Sequence, residues 1–214
     1  MSSFRRYAMI FVALVAGGLL WSKLQTPAQP AAPTPVKVAR TSETVSSERI
    51  WYSKDHYPQL ALPDGRHEVV RSLLNVAGPM HFGNFVWNED RIPEGTVWVR
   101  VDLARQMLSV FRGGHEIGSA VILYGGDSYA TPTGSFTILS KDRNYFSRSY
   151  QAPMPYALRL TNDGVAIHGS SVREGWATHG CIGVPPSFAR LLFAAASKGD
   201  LVVVLPATPA GRKA

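Results

Sequence analysis

Gly164-Val-Ala-Ile-His168-Gly-Ser170, followed after a short loop by Ala177-Thr-His-Gly-Cys-Ile182, is the stretch on which the reading of this chain turns. The apolar run from Gly164 to His168 reads as a buried strand that delivers an imidazole to its edge. Cys181 is the single cysteine in 214 residues, with Gly180 before it and His168 and His179 close in sequence. A thiol becomes a working nucleophile when its pKa is lowered or when an imidazole takes its proton. Gly180 leaves room for the backbone N–H groups of Gly180 and Cys181 to meet a developing oxyanion, usually the largest electrostatic contribution to acyl transfer. The pattern proposes a Cys–His acyl-transfer site that needs neither cofactor nor metal.

Upstream of this stretch, Val97-Trp-Val-Arg-Val101 alternates, Gln106–Phe111 follows, and Arg112-Gly-Gly-His115 turns into Ile117–Tyr124. This is a β-meander, with His115 expected on an exposed hairpin tip. Gly125 to Gly134 reads as a long loop leading into a strand over Ser135–Leu139. Pro185-Pro-Ser187 offers an N-cap for a helix with Phe188, Leu191, Leu192 and Ala195 on one face, ended by Gly199. Asp200–Leu205 reads as the last strand. The fold class is mainly β: largely antiparallel sheet, sandwich-like, with one or two packed helices.

Four blocks now stand in one order: Thr131-Pro-Thr-Gly134, Met154-Pro-Tyr156, Ile167-His-Gly169 and Thr178-His-Gly-Cys-Ile182. Together they resemble the YkuD-type L,D-transpeptidases, bacterial cell-wall enzymes, over roughly Thr96 to Leu205. The resemblance implies a YkuD-like β-sandwich in which Cys181 is the nucleophile and His168 the proton donor and acceptor. His168 then needs an acceptor for its other ring nitrogen, and the carbonyl of Gly169 is the candidate. His179 has a supporting place, holding the loop or polarising the thiol. The resemblance also places Thr178, Gly169, Met154 and Tyr156 at the substrate. Two departures stand out. Only nine residues separate His168 from Thr178, a shorter loop than the family's, and Gly183 stands where the family carries Arg or Asn. Without that side chain, Arg173 on the short loop, or Arg148, is the cation left to meet a substrate carboxylate.

The net charge is +7, but it is unevenly spread. Residues 1–48 hold five Lys/Arg against two Glu, Arg212 and Lys213 lie in the tail (206–214), and residues 49–205 are nearly balanced. A clustered basic face is not indicated, so nucleic acid is not an expected partner. Arg5 and Arg6 precede the sixteen uncharged residues Tyr7–Ser22, and Lys23 follows. Residues 1–24 thus read as a signal peptide or a membrane anchor, and both remain open. The Pro-rich residues 25–48 read as a disordered linker. Residues 49–95 form an extension of unknown role, with a short helix expected over His67–Val76 and a strand or extended arm at Gly83–Trp87. His67 and His81 read as surface histidines. The expected location is outside the cytoplasm, in the periplasm or cell envelope, where a lone thiol is better explained by chemistry than by pairing.

The resemblance implies a reaction. Cys181 attacks a peptidoglycan stem tetrapeptide after its third residue, releasing the terminal D-alanine and forming a thioester. An amine resolves it to make a cross-link or a protein attachment, and water would make the same site a carboxypeptidase. A carbapenem is the expected covalent inhibitor. A zinc site of His168, His179 and Cys181 is disfavoured by the cramped His-x-Cys spacing. A papain-like protease places its cysteine before its histidine, the reverse of the order here. A catalytically weak wall-binding module stays open because of Gly183.

Overall fold

Two-residue alternation builds the centre of the molecule, because successive side chains of a strand point to opposite faces. The computed structural model describes residues 49–126 and 128–207. The apolar segment Tyr7–Ser22, the Pro-rich stretch and the tail beyond residue 207 lie outside the described residues. Five short strands come first: β1 (Arg49–Trp51), β2 (Gln59–Ala61), β3 (His67–Val69), β4 (Ser72–Leu74) and β5 (Phe85–Trp87). The meander follows as β6 (Val97–Asp102), β7 (Met107–Arg112) and β8 (His115–Val121). Then come β9 (Gly134–Thr137), β10 (Ser140–Asp142), β11 (Phe146–Ser147), β12 (Ala152–Pro153), β13 (Ala157–Arg159), β14 (Ala166–Gly169) and β15 (Ile182–Val184). The helix α1 (Pro186–Ala195) and the strand β16 (Leu201–Leu205) close the fold.

Eight strands make one sheet in the order β1-β4-β8-β7-β6-β16-β9, with β5 paired to β8, and β10-β13-β14-β15 make a second. Val99, Val101, Leu108 and Val110 from the first sheet share one core with Leu158, Ile167, Ile182 and Val184 from the second. Phe188 and Leu192 of α1 join that core. Fully burying a Val, Leu or Phe side chain is worth about 1.5–3 kcal/mol, so these residues dominate the stability. The mainly β, sandwich-like expectation with one or two packed helices holds for the described residues, where α1 is the one α-helix.

The helix starts differently from the expectation. Pro186 takes the first helical position, where its missing N–H costs nothing, and Pro185 precedes it while Ser187 is exposed and caps nothing. Phe188, Ala189 and Leu192 form the buried face, and Lys141 Nζ closes the far end by donating to the carbonyls of Phe193 and Ala196.

Residues 67–76 are not a helix but β3 and β4. Val70, Ser72 and Leu74 are buried while Arg71 is exposed, a period of two that the polar Ser72 hides. Pro63-Asp-Gly65 turns β2 back onto β3, with Asp64 accepting from Arg66. This segment covers the outer face of the main sheet, where Val70 packs on the stacked rings of Trp98 and Phe111 (centroids 4.3 Å apart).

His115 is a second correction. The turn falls at Gly113-Gly114, so His115 opens β8 and is only 9% exposed. Its Nδ1 lies 2.9 Å from Ser72 Oγ and its ring meets Trp51 edge-on. Burial, then the Arg49 and Arg71 charges, hold its pKa below the usual histidine range. The early strands, which sequence gave no means of placing, are what bury it.

Candidate active site

The strand β14 puts Ile167 into the core and His168 on the opposite face, 6% exposed. It pairs in parallel with β15: Ile167 with Ile182, His168 with Gly183, and Gly169 with Val184. Cys181 lies just before β15, two residues from Gly183 and 7% exposed; its sulfur meets the amide of Ala166, two residues before His168 on the same strand. Gly183 is also tied from its other side, its N–H donating to Leu123 O at 2.9 Å and its carbonyl accepting from Leu123 N at 2.8 Å. The site therefore stands on a strand held on both flanks.

His168 Nδ1 lies 3.0 Å from the carbonyl oxygen of Gly169. A carbonyl only accepts, so Nδ1 carries the proton and Nε2 keeps its lone pair. Burial lowers the His168 pKa, and the Gly169 contact opposes that in part. Burial raises the Cys181 pKa; the Ala166 amide lowers it, and the Asp163 carboxylate raises it again. At neutral pH the resting pair is an uncharged thiol and an uncharged imidazole. The thiol at rest donates weakly to Gly164 O, 3.8 Å away.

The loop before the nucleophile is built by its own hydrogen bonds. Gly180 adopts φ +101°, a left-handed conformation that side chains resist. Its carbonyl accepts from Thr131 Oγ1 at 2.9 Å, and that hydroxyl in turn accepts from Gly125 N at 2.8 Å. With that carbonyl turned toward Thr131, the amides of Gly180 and Cys181 have no acceptor among the described residues. Thr178 Oγ1 donates to Cys181 O at 2.5 Å, and Thr178 N to Tyr124 O at 2.9 Å. Its hydroxyl is thus engaged with the loop itself.

His179 is exposed and lies between two tyrosines, stacked on Tyr150 and tilted against Tyr129, with both centroids 4.8 Å away. These rings join three separate loops beside Cys181. Met154 is half-buried, with its N–H on Tyr145 O, and Tyr156 places its ring against Phe193. Between them the carbonyl of Pro155 accepts from Gly169 N at 2.8 Å, docking this block onto the end of β14. Arg173 is exposed, its guanidinium over Trp176 at 5.2 Å.

Sequence reasoning placed Cys181, His168, Gly169, Gly180 and Thr178 in one neighbourhood, and they are together. It missed the pinning role of Thr131, the tyrosines on His179 and the turn Thr161–Gly164 beside the thiol. Asn162-Asp-Gly164 is itself a turn signal, but nothing local says that this turn ends at a cysteine seventeen residues on.

The arrangement can carry acyl transfer: a nucleophile, a base with its tautomer fixed, and two amides open to an oxyanion. Comparison with known proteins agrees. The family model of the YkuD L,D-transpeptidase catalytic domain matches residues 96–204. Probable L,D-transpeptidase 3 of Mycobacterium tuberculosis is 31% identical over 101 residues, 37% of this chain and 36% of that protein. L,D-transpeptidase 1 of the same organism is 31% identical over 120 residues, 48% of each chain. The chain thus spans half or less of the length of these curated relatives. An L,D-transpeptidase structure from Stackebrandtia nassauensis superposes with a TM-score of 0.50 at 30% identity, covering 56% of this chain and 61% of that one.

Proposed function

This chain belongs to the YkuD L,D-transpeptidase catalytic-domain family, and on that premise we propose that it is a cysteine-dependent peptidoglycan L,D-transpeptidase. The observation that carries the reading is the His168 Nδ1–Gly169 O contact, on the strand whose Ala166 amide meets the Cys181 sulfur. It leaves Nε2 with its lone pair, able to act as a base.

Nε2 accepts the thiol proton as sulfur attacks the carbonyl after the third residue of a stem tetrapeptide. The Gly180 and Cys181 amides meet the oxyanion, a contribution worth about 3–4 kcal/mol per donor where it has been measured. His168 then returns the proton to the departing D-alanine, leaving a thioester. An amine takes the acyl group and restores the thiol. A carbapenem presents a strained carbonyl to the same sulfur and stops at the acyl-enzyme. Export to the periplasm or cell envelope fits the Arg5–Lys23 pattern, and the same segment is the proposed membrane contact.

The test is muropeptide mass spectrometry after the full chain acts on purified sacculi, with Cys181→Ala in parallel. New cross-links or lost terminal D-alanine with the parent only are expected. Identical muropeptides from both proteins would reject the reading.

A further inference from the structure

We propose that Asp163 is the acceptor-binding residue: its carboxylate holds the ammonium of the incoming amine beside the Cys181 thioester. This rests on the transpeptidase reading and deepens it, by naming the group that favours an amine over water.

Asp163 is exposed in the turn Thr161–Gly164 that joins β13 to β14. The turn is fixed: Thr161 Oγ1 accepts from Val165 N at 3.0 Å and Thr161 O from Gly164 N at 3.3 Å. The next residue, Gly164, supplies the carbonyl 3.8 Å from the Cys181 sulfur, so Asp163 stands one residue from the nucleophile's own contact. Among the described residues no Lys or Arg forms an ion pair with it. Gly183 brings no cation to the site either.

In the resting enzyme this carboxylate is a handicap. Together with burial it works against thiolate formation. Once the acyl group is in place the sulfur is uncharged and that handicap is gone. The next reactant to enter is a cation, since an alkyl amine is protonated at neutral pH, and a carboxylate attracts it. Water gains nothing from the same charge.

The held ammonium gives one proton to solvent, and its neutral nitrogen attacks the thioester carbonyl. A C–N bond forms and the C–S bond breaks. The second nitrogen proton passes through His168 Nε2 to the departing sulfur, regenerating the thiol.

Asp163→Asn and Asp163→Glu in the full chain test this with a stem-tetrapeptide donor. D-alaninamide serves as a cationic acceptor and hydroxylamine as an acceptor uncharged at neutral pH. Transfer is measured against hydrolysis, and acylation by imipenem is measured separately. For Asp163→Asn, the D-alaninamide concentration giving half transfer should rise about two- to fivefold, the scale of a solvent-exposed ion pair. Hydroxylamine transfer should not change, acylation should be unchanged or faster, and Asp163→Glu should recover much of the loss. Parent-like partitioning with D-alaninamide in Asp163→Asn would overturn the inference. So would equal losses with both acceptors, or slower acylation, either of which would make Asp163 a turn residue only. If the parent itself is never acylated at Cys181, the transpeptidase reading falls, and this inference with it.

Discussion

His168 faces Gly183 across the β14–β15 ladder, so no side chain stands opposite the imidazole. Gly183 is not in the left-handed region, and its requirement is space. A Cβ there would lie 3.1 Å from Ser170 Cβ and 3.5 Å from Leu123 Cβ. Gly183→Ala should therefore cost about 1–2 kcal/mol by overpacking, and Gly183→Arg more, with slower acylation in both. Ser170→Gly should restore much of the Gly183→Ala loss in thermal unfolding. Full stability and activity of both single variants would reject this close-packing account.

The pH profile of acylation follows from two opposite displacements. Protonated His168 cannot accept the thiol proton, and burial holds its pKa below the ordinary 6.5. Activity should therefore persist below pH 6.5 and fall only as the lowered pKa is crossed. The thiol, ordinarily near 9.0, is raised, so direct alkylation by iodoacetamide should climb only above that pH. His168→Ala should slow acylation about a hundredfold or more. An acid midpoint at or above 6.5 in imipenem acylation rates would contradict the buried neutral imidazole.

Thr131 is the least conspicuous residue on which the site depends. Its buried hydroxyl joins Gly125 N to Gly180 O. Thr131→Val keeps the shape and strands both groups, at a cost of about 1–3 kcal/mol for each buried orphan. Calorimetry should show the destabilisation, and acylation should fall further than stability alone explains, because the Gly180 turn sets the oxyanion amides. Thr131→Ser should retain both properties.

His179 separates chemistry from architecture. If its ring works by packing between Tyr129 and Tyr150, His179→Phe should acylate at close to the parent rate, while His179→Ala should be several-fold slower. Loss of acylation in both variants, with folding intact, would assign the imidazole itself to the reaction. Aromatic pairs add about 0.5–1.5 kcal/mol beyond burial, enough to hold a loop but too little to hold the fold.

What was legible in the sequence was local. His168 and Cys181 announce themselves through glycine neighbours and an apolar strand, and even the Gly169 carbonyl could be named as the imidazole's partner. The errors came where a distant segment decides the environment. His115 looks exposed until β4 and Trp51 cover it, and residues 67–76 look helical because Ser72, buried against His115, breaks the apolar alternation. Ser187 is a good cap by type, but two prolines before it already set the helix start. Thr131 and Asp163 act across long loops to Gly180 and Cys181, a relationship that no spacing rule reports.

Arg49 is fixed by its guanidinium to Ser72 Oγ and to the carbonyls of Glu116 and Asn88. Its strand β1 lies antiparallel to β4 at the rim of the large sheet. A pull along the polypeptide arriving from residue 48 would meet that ladder in shear, with the guanidinium acting as a rivet. The force would pass into β4 and β8, while His168 lies in the other sheet and Cys181 just before its strand β15. Tension on the leading chain would thus be borne first at the rim of the large sheet, reaching Gly183 only through the chain that runs on from β8 to Leu123.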